Sequence, residues 1–305
     1  MRRAMRVAII TEAYDGAEPH RRDGLTEVEQ CVAALFPGAA LFKIVRPRVI
    51  PGFRTAWRIA RSVEDRDVRG FDLVVSLSAG FAHGIITDTE ARHVTYCLAR
   101  PELARRGGVA GHWYRFWDGA ALARVDGCVA STEYLGAAMA KVRQSAVPVL
   151  RPPVAEPELR PGEPERGGGV VLVSGTRNVQ HRSVCIEACN KLEVPLVVEG
   201  SVGAAAAQSG VLIYDGDESF PAEALGMLSG ERTLITHRQN PAVEFARGRL
   251  NGVVFDDWHP GVVADSIRRA LERKSRPLPV ADDGAYTPEA FGRAFMAIIA
   301  QTSRS

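Results

Sequence analysis

The 305-residue sequence has no apolar run long enough to cross a bilayer, which argues against a helical membrane span. The short apolar run after the basic start MRRAMRV meets acidic residues at once, so it reads as a first strand rather than a secretory signal, and the chain is expected in the cytoplasm. Its five cysteines (Cys31, Cys97, Cys128, Cys185, Cys189) are odd in number and lack close CxxC spacing, which points to neither a disulfide framework nor a zinc site. Cys185 and Cys189, four apart on a predicted helix, read as two buried thiols. Neither a GxSxG elbow nor a P-loop occurs, and the glycine run 167–169 stands before a strand, the wrong place for a phosphate cradle. The formal net charge is only +2, so no nucleic-acid partner is expected. A mild asymmetry remains: residues 1–150 hold 21 Lys and Arg against 16 Asp and Glu, which suits an acidic substrate or a membrane surface.

What is present is an alternation. MRVAII (5–10), ALFKIV (40–45), FDLVVSLS (71–78), HVTYCL (93–98), DGCVAS (126–131) and VPVLRPP read as strands. Between them LTEVEQCVAALF and TAWRIARSV carry apolar residues at helical spacing. Pro152 and Pro153 then stop strand and helix alike, and residues 155–169 are crowded with breakers and charges, as a linker would be. The pattern restarts with VVLVSG (170–175) and continues through PLVVEG, VLIYDG, PAEALGMLS, RTLITH and NGVVFDD to two closing helices, 261–274 and 287–301. Strands alternating with helices imply mostly parallel, doubly wound sheets, here two of them.

The order of these segments resembles the GT-B glycosyltransferases, more narrowly glycosyltransferase family 4 in its mannosyltransferase-like branch. FDLVVSLSAGFAHGI, RVDGCVASTEYLGAAMAKV…VPVLRPPV, VVLVSG…RSVCIEACNKLEVPLVVEGS, ESFPAEAL and NPAVEF…LNGVVFDD carry the resemblance, which covers most of the chain. It implies an α/β fold of two Rossmann-like doubly wound domains facing a cleft. Residues 1–153 would form the acceptor-side domain, 154–169 a linker and 170–280 the nucleotide-sugar-binding domain. Residues 281–305 would return as a helix onto the first domain. The donor motif departs from the pattern. Glu218 and Glu223 are five apart where the family has two glutamates at eight, the phosphate-clamping Lys has no counterpart, and Leu98 stands where the family has a histidine.

Sugar transfer needs cations facing the diphosphate leaving group, carboxylates holding sugar and ribose hydroxyls, and an oriented acceptor hydroxyl. Arg177 and Arg182, between a strand and a helix start, are candidates for the diphosphate, or else arginines on a solvated loop. Glu218 and Glu223 could hold hydroxyls, or could simply favour a helix N-terminus. His83 and Gly16 follow strands of the first half, where an acid–base group and a close backbone approach to an anion would be useful. The aromatic cluster HWYRFW (112–117) could stack on an acceptor ring or belong to the core, and the basic helix with Trp57 could touch anionic lipid or an acidic acceptor, or be an ordinary exposed face. The resemblance thus implies a retaining, metal-independent glycosyltransferase. It would use a nucleotide sugar as co-substrate, no further cofactor, and a small-molecule, glycan or lipid-linked acceptor. The alternatives are a non-catalytic nucleotide-sugar-binding protein, or an epimerase or hydrolase of the same fold.

Overall fold

A computed structural model describes residues 5–14, 25–47, 50, 52–153, 171–174, 178–199, 209–216, 233–247, 252–272 and 287–302. The chain divides into two compact units, Met1–Pro153 with Gly284–Ser305, and Val154–Asp283.

The first unit is built on five parallel strands: β1 (Val7–Tyr14), β2 (Ala40–Arg46), β3 (Leu73–Ser78), β4 (Arg92–Cys97) and β5 (Gly127–Ala130), in the order β2-β1-β3-β4-β5. A parallel strand covered on both faces needs a continuous apolar run rather than an alternating one. LVVSLS of β3 satisfies this, every residue being buried. Helices α1 (Leu25–Leu35), α2 (Phe53–Glu64), α3 (Gly108–Arg124) and α4 (Glu133–Arg143) connect the strands. In α2 the buried residues are Ala56, Ile59, Ala60 and Val63, one stripe at helical spacing, and the opposite face is left to Arg54, Trp57, Arg58 and Arg61. Trp113, Tyr114 and Trp117 of α3 pack in or against the core with Phe81, while Phe116 is 79% exposed. The aromatic cluster is therefore divided between core and surface.

Two local expectations shift. β1 runs on past Ile10 to Tyr14, taking Thr11 and Glu12 into the sheet. The strand expected over VPVLRPP shrinks to a single bridge, Val149 with Ala130, because the prolines on either side cannot donate to a ladder.

In the second unit β6 (Val171–Ser174), β7 (Leu196–Glu199), β8 (Val211–Tyr214), β9 (Thr233–His237) and β10 (Gly252–Phe255) form a parallel sheet ordered β10-β9-β8-β6-β7. α5 (Val179–Leu192) buries Cys185, Ala188 and Cys189 in a core shared with Val263, Ala264 and Ile267 of α7 (Pro260–Glu272), and a short α6 (Val243–Ala246) precedes β10. Cys185 and Cys189 are thus core thiols, and burial pushes them up to about 12 and about 11. The linker 155–169 and the helix expected over 221–229 lie outside the described residues.

Numbered within its own unit, each sheet has the order 2-1-3-4-5. Such a sheet reverses direction between its first and third strands, and the ends of those strands open a crevice that ligands favour. The two switch points are β1/β3 and β6/β8.

The last helix, α8 (Pro288–Thr302), belongs to the first unit. Phe291 and Phe295 meet the ring of Tyr96 edge-on, with centroids 5.4 and 6.2 Å away. A Cβ on Gly127 of β5 would come within 2.5 Å of Thr302, so the bare glycine lets the end of the helix close onto the strand.

Candidate functional site

At the β1/β3 switch point the chain supplies its own anion. Glu12 ends fully buried, and its Oε1 accepts the backbone N–H groups of Ala79 (2.9 Å), Phe81 (2.7 Å) and Ala82 (2.9 Å) and the hydroxyl of Ser78 (3.2 Å). Its Oε2 pairs with Arg46 Nε from the end of β2, and Arg46 Nη2 donates to Ala79 O at 2.8 Å. Burial alone would raise the Glu12 carboxyl. The Arg46 charge and the N–H groups of Phe81 and Ala82 outweigh it and hold the group below its ordinary value. Converging backbone N–H groups of this kind make an anion nest, and here a carboxylate fills it.

The same loop carries His83, which is 2% exposed. Its Nδ1 lies 2.8 Å from Ser78 Oγ and its Nε2 lies 3.1 Å from Asp118 Oδ1, a contact too bent for a good hydrogen bond but close enough for charges to attract. Asp118 also receives Arg100, and the Tyr114 hydroxyl sits 3.2 Å from it and 2.6 Å from Gly80 O. Desolvation disfavours the imidazolium. Asp118 more than compensates, with smaller help from Cys97 and Glu12, so the ring titrates above its ordinary value. An imidazolium donating at Nδ1 fits Ser78, whose oxygen also accepts Gly80 N–H at 3.1 Å while its proton goes to Glu12. Gly80 has φ +143°, and a Cβ there would meet Pro101 at 2.6 Å, so only glycine completes this turn. His93 takes a different course. Its Nε2 is 2.9 Å from Ser76 Oγ, its Nδ1 is buried without a partner, and burial pushes it down to about 3.

At the β6/β8 switch point the groups are more open. α5 begins at the cap Asn178, whose side chain accepts Gln180 N–H at 2.9 Å. His181, in the first turn, places Nδ1 2.9 Å from Asp215 Oδ2, just past the end of β8, with the two side chains 25% and 12% exposed. The indole of Trp258, past the end of β10, stacks on the His181 ring at 3.9 Å and 9° and on His237, the last residue of β9, at 6.0 Å and 25°. Arg182 is exposed beside them, and the first turn of α5 contains no acidic residue.

Of the residues singled out in the sequence, His83 and Arg182 are described, in different units. Gly16, Arg177, Glu218 and Glu223 lie outside the described residues. Sequence reasoning passed over Glu12, Arg46, Ser78 and Asp118, and in the second unit Asp215 and Trp258. A carboxylate inside the apolar run of β1 was the one available signal for the first group. Trp258, lone in a loop, had none.

No family model matches the sequence, and no curated protein matches it. Solved structures do. A glycosyltransferase from Rickettsia africae aligns over 99% of this chain and 100% of its own at 11% identity and TM-score 0.62. HepE from Anabaena in complex with UDP aligns over 97% and 100% at 8% identity and TM-score 0.65. Sucrose-phosphate synthase from Thermosynechococcus elongatus aligns over 98% of each chain at 12% identity and TM-score 0.58. At such identities the likeness establishes the fold: two doubly wound α/β units of the GT-B type.

Proposed function

We propose that the chain transfers a sugar from a nucleotide-sugar donor to an acceptor hydroxyl, the second unit taking the donor and the first the acceptor. The observation that carries this reading is the opening turn of α5. It sets His181 and Arg182 beside the switch point and carries no Asp or Glu of its own, where an ordinary surface helix would favour one. An anion there gains from the helix dipole and from the Arg182 guanidinium. Asp215 holds His181 through Nδ1, and Trp258 fixes the plane of the ring. The corresponding backbone donors of the first unit already hold Glu12, so a phosphate would have to displace a buried ion pair. The fold likeness to glycosyltransferases, one of them in complex with UDP, supports a nucleotide-sugar donor.

In this proposal Arg177 and Arg182 face the diphosphate, Glu218 and Glu223 hold sugar or ribose hydroxyls, and Gly16 allows close approach of backbone. Transfer proceeds with retention and without a metal, the leaving phosphate taking the acceptor proton. The role of His83 is to hold the loop 79–84 in shape, since both its nitrogens face side chains of its own unit.

Thermal shift against UDP, GDP, ADP, dTDP and CMP tests the donor reading. One nucleotide should raise the melting temperature, by the equivalent of about 2.7 kcal/mol at a hundredfold excess over Kd. Arg182→Ala should weaken that binding about tenfold. No shift with any of the five refutes nucleotide-sugar binding. The five-residue spacing of Glu218 and Glu223 favours a second reading, binding without transfer, which a nucleotide shift with no turnover on any acceptor would establish.

A further inference from the structure

The cluster at the switch point of the first unit does not balance its own charge. Two carboxylates, Glu12 and Asp118, face two guanidiniums, Arg46 and Arg100, and the His83 imidazolium is a third cation. Burial would raise both carboxyls, yet their partners hold them below their ordinary values, so both are ionised. Tyr114 and Cys97, which also stand beside Arg100, stay neutral. Burial pushes Tyr114 up, and the Cys128 thiol together with burial does the same to Cys97. Among the described residues the cluster therefore holds one positive charge in surplus, in surroundings where an unbalanced charge is costly.

The surplus falls to Arg100. Asp118 is already served from within the unit, since His83 Nε2 lies 3.1 Å from its Oδ1 and the Tyr114 hydroxyl 3.2 Å from the same oxygen. The other four charged side chains are at most 3% exposed, whereas Arg100 is 22% exposed. Its Nη2 donates to Asp118 Oδ2, its Nε is buried without a partner, and its Nη1 makes no hydrogen bond. Its place is also fixed. Arg100 follows β4 at the C-terminal edge of the sheet, where open α/β sheets take their ligands. Leu98 N–H donates to Ser78 O at 2.8 Å, and the Ser131 hydroxyl donates to Leu98 O at 2.8 Å. Pro101 occupies the space that a Cβ on Gly80 would need. The turn that carries Arg100 is thus tied to the ends of β3 and β5, and its guanidinium is held on one side by α3. A cation ordered in advance loses little freedom when a ligand arrives.

We infer that Arg100 is an anion-binding residue of the acceptor site, and that the acceptor carries an oxyanion, a carboxylate or a phosphate, which Nη1 meets in a charge-assisted hydrogen bond. Such a group balances the cluster from its one exposed side and leaves Glu12 in place on the loop 79–84. The inference rests on the reading of the first unit as the acceptor side.

The test is a ligand-observed NMR titration of the full chain, without nucleotide, against glucose, glucuronate and glucose 6-phosphate. At least one of the two anionic sugars should bind more tightly than glucose, and the better of them identifies the group. Arg100→Gln should remove that advantage, a loss of about 10- to 100-fold, and leave the weak affinity for glucose unchanged. Because Arg100→Gln also takes a partner from Asp118, Arg100→Lys is measured beside it. Lysine keeps a cation for Asp118 and gives up Nη1, so this variant should melt near the wild type and still lose most of the advantage. An arginine that only supported the fold would alter the affinity for all three sugars alike. Arg182→Ala, in the second unit, should change none of them. No preference for an anionic sugar, a preference kept in Arg100→Gln, or one lost in Arg182→Ala would each overturn the inference. A melting shift with a nucleotide but no anion preference strikes this inference alone, and the reverse result strikes the donor reading alone.

Discussion

Changing Glu12 to Gln keeps the shape of the side chain and removes its charge, which leaves Arg46, 3% exposed, without its counter-ion. Breaking a buried pair from one side costs about 3–5 kcal/mol, and urea unfolding should show a loss of that size. Replacing both partners by Met should cost more than Glu12→Gln, since the N–H groups of Ala79, Phe81 and Ala82 then lose their acceptor. His93 sets a second, pH-dependent cost. Its folded pKa, pushed down to about 3 first by burial and then by His83 and Arg124, lies below the unfolded value near 6.5. The stability it contributes is therefore present above pH 6.5 and is lost as the pH falls toward 3, by a few kcal/mol. His93→Gln should flatten that decline in a series of melting curves. His83 works in the opposite sense. Its pKa is raised in the fold, so what it contributes is present below pH 6.5 and is lost as the pH rises through its folded pKa.

Among the elements, the apolar stripes of α1 and α2 and the continuous runs of β3 and β4 were legible, because a period of 3.6 or an unbroken apolar stretch is a local property. What escaped depends on distant partners. Glu12 is at home in β1 only because Arg46 is 34 residues away and Phe81 is 69, and no window on the sequence joins them. The His181–Asp215–Trp258 cluster likewise gathers one helix start and two loops that only the sheet order brings together. Close contacts between elements give further tests. A Cβ on Gly84 would meet the Trp117 ring at 2.3 Å, so Gly84→Ala should cost about 1–3 kcal/mol by forcing loop and α3 apart. Phe295→Ala in α8 should cost about 3–5 kcal/mol, because it empties a fully buried site against Tyr96.

Over the whole molecule the repeated sheet order was implicit in the alternation of strands and helices, and the fold class followed from it. The sites were less legible, since what distinguishes the two switch points lies in distant partners: a buried carboxylate fills the backbone donors of one, while the other has a part-exposed His181–Asp215 pair beside the exposed Arg182. Hydrogen exchange should report that difference. A nucleotide that raises the melting temperature should slow exchange around the end of β6, the start of α5 and the end of β8, and leave the loop 79–84 unchanged. One topological fact has a consequence for synthesis. α8 covers Tyr96 of the first unit, yet it follows the entire second unit in the chain. Domains begin to fold as they leave the ribosome, in order from the N-terminus. Here the second unit emerges complete while the first still lacks a wall of its core, so the half begun first is finished last. A nascent chain stalled before Pro288 should hold a second unit able to fold and a first unit whose Tyr96 is still uncovered.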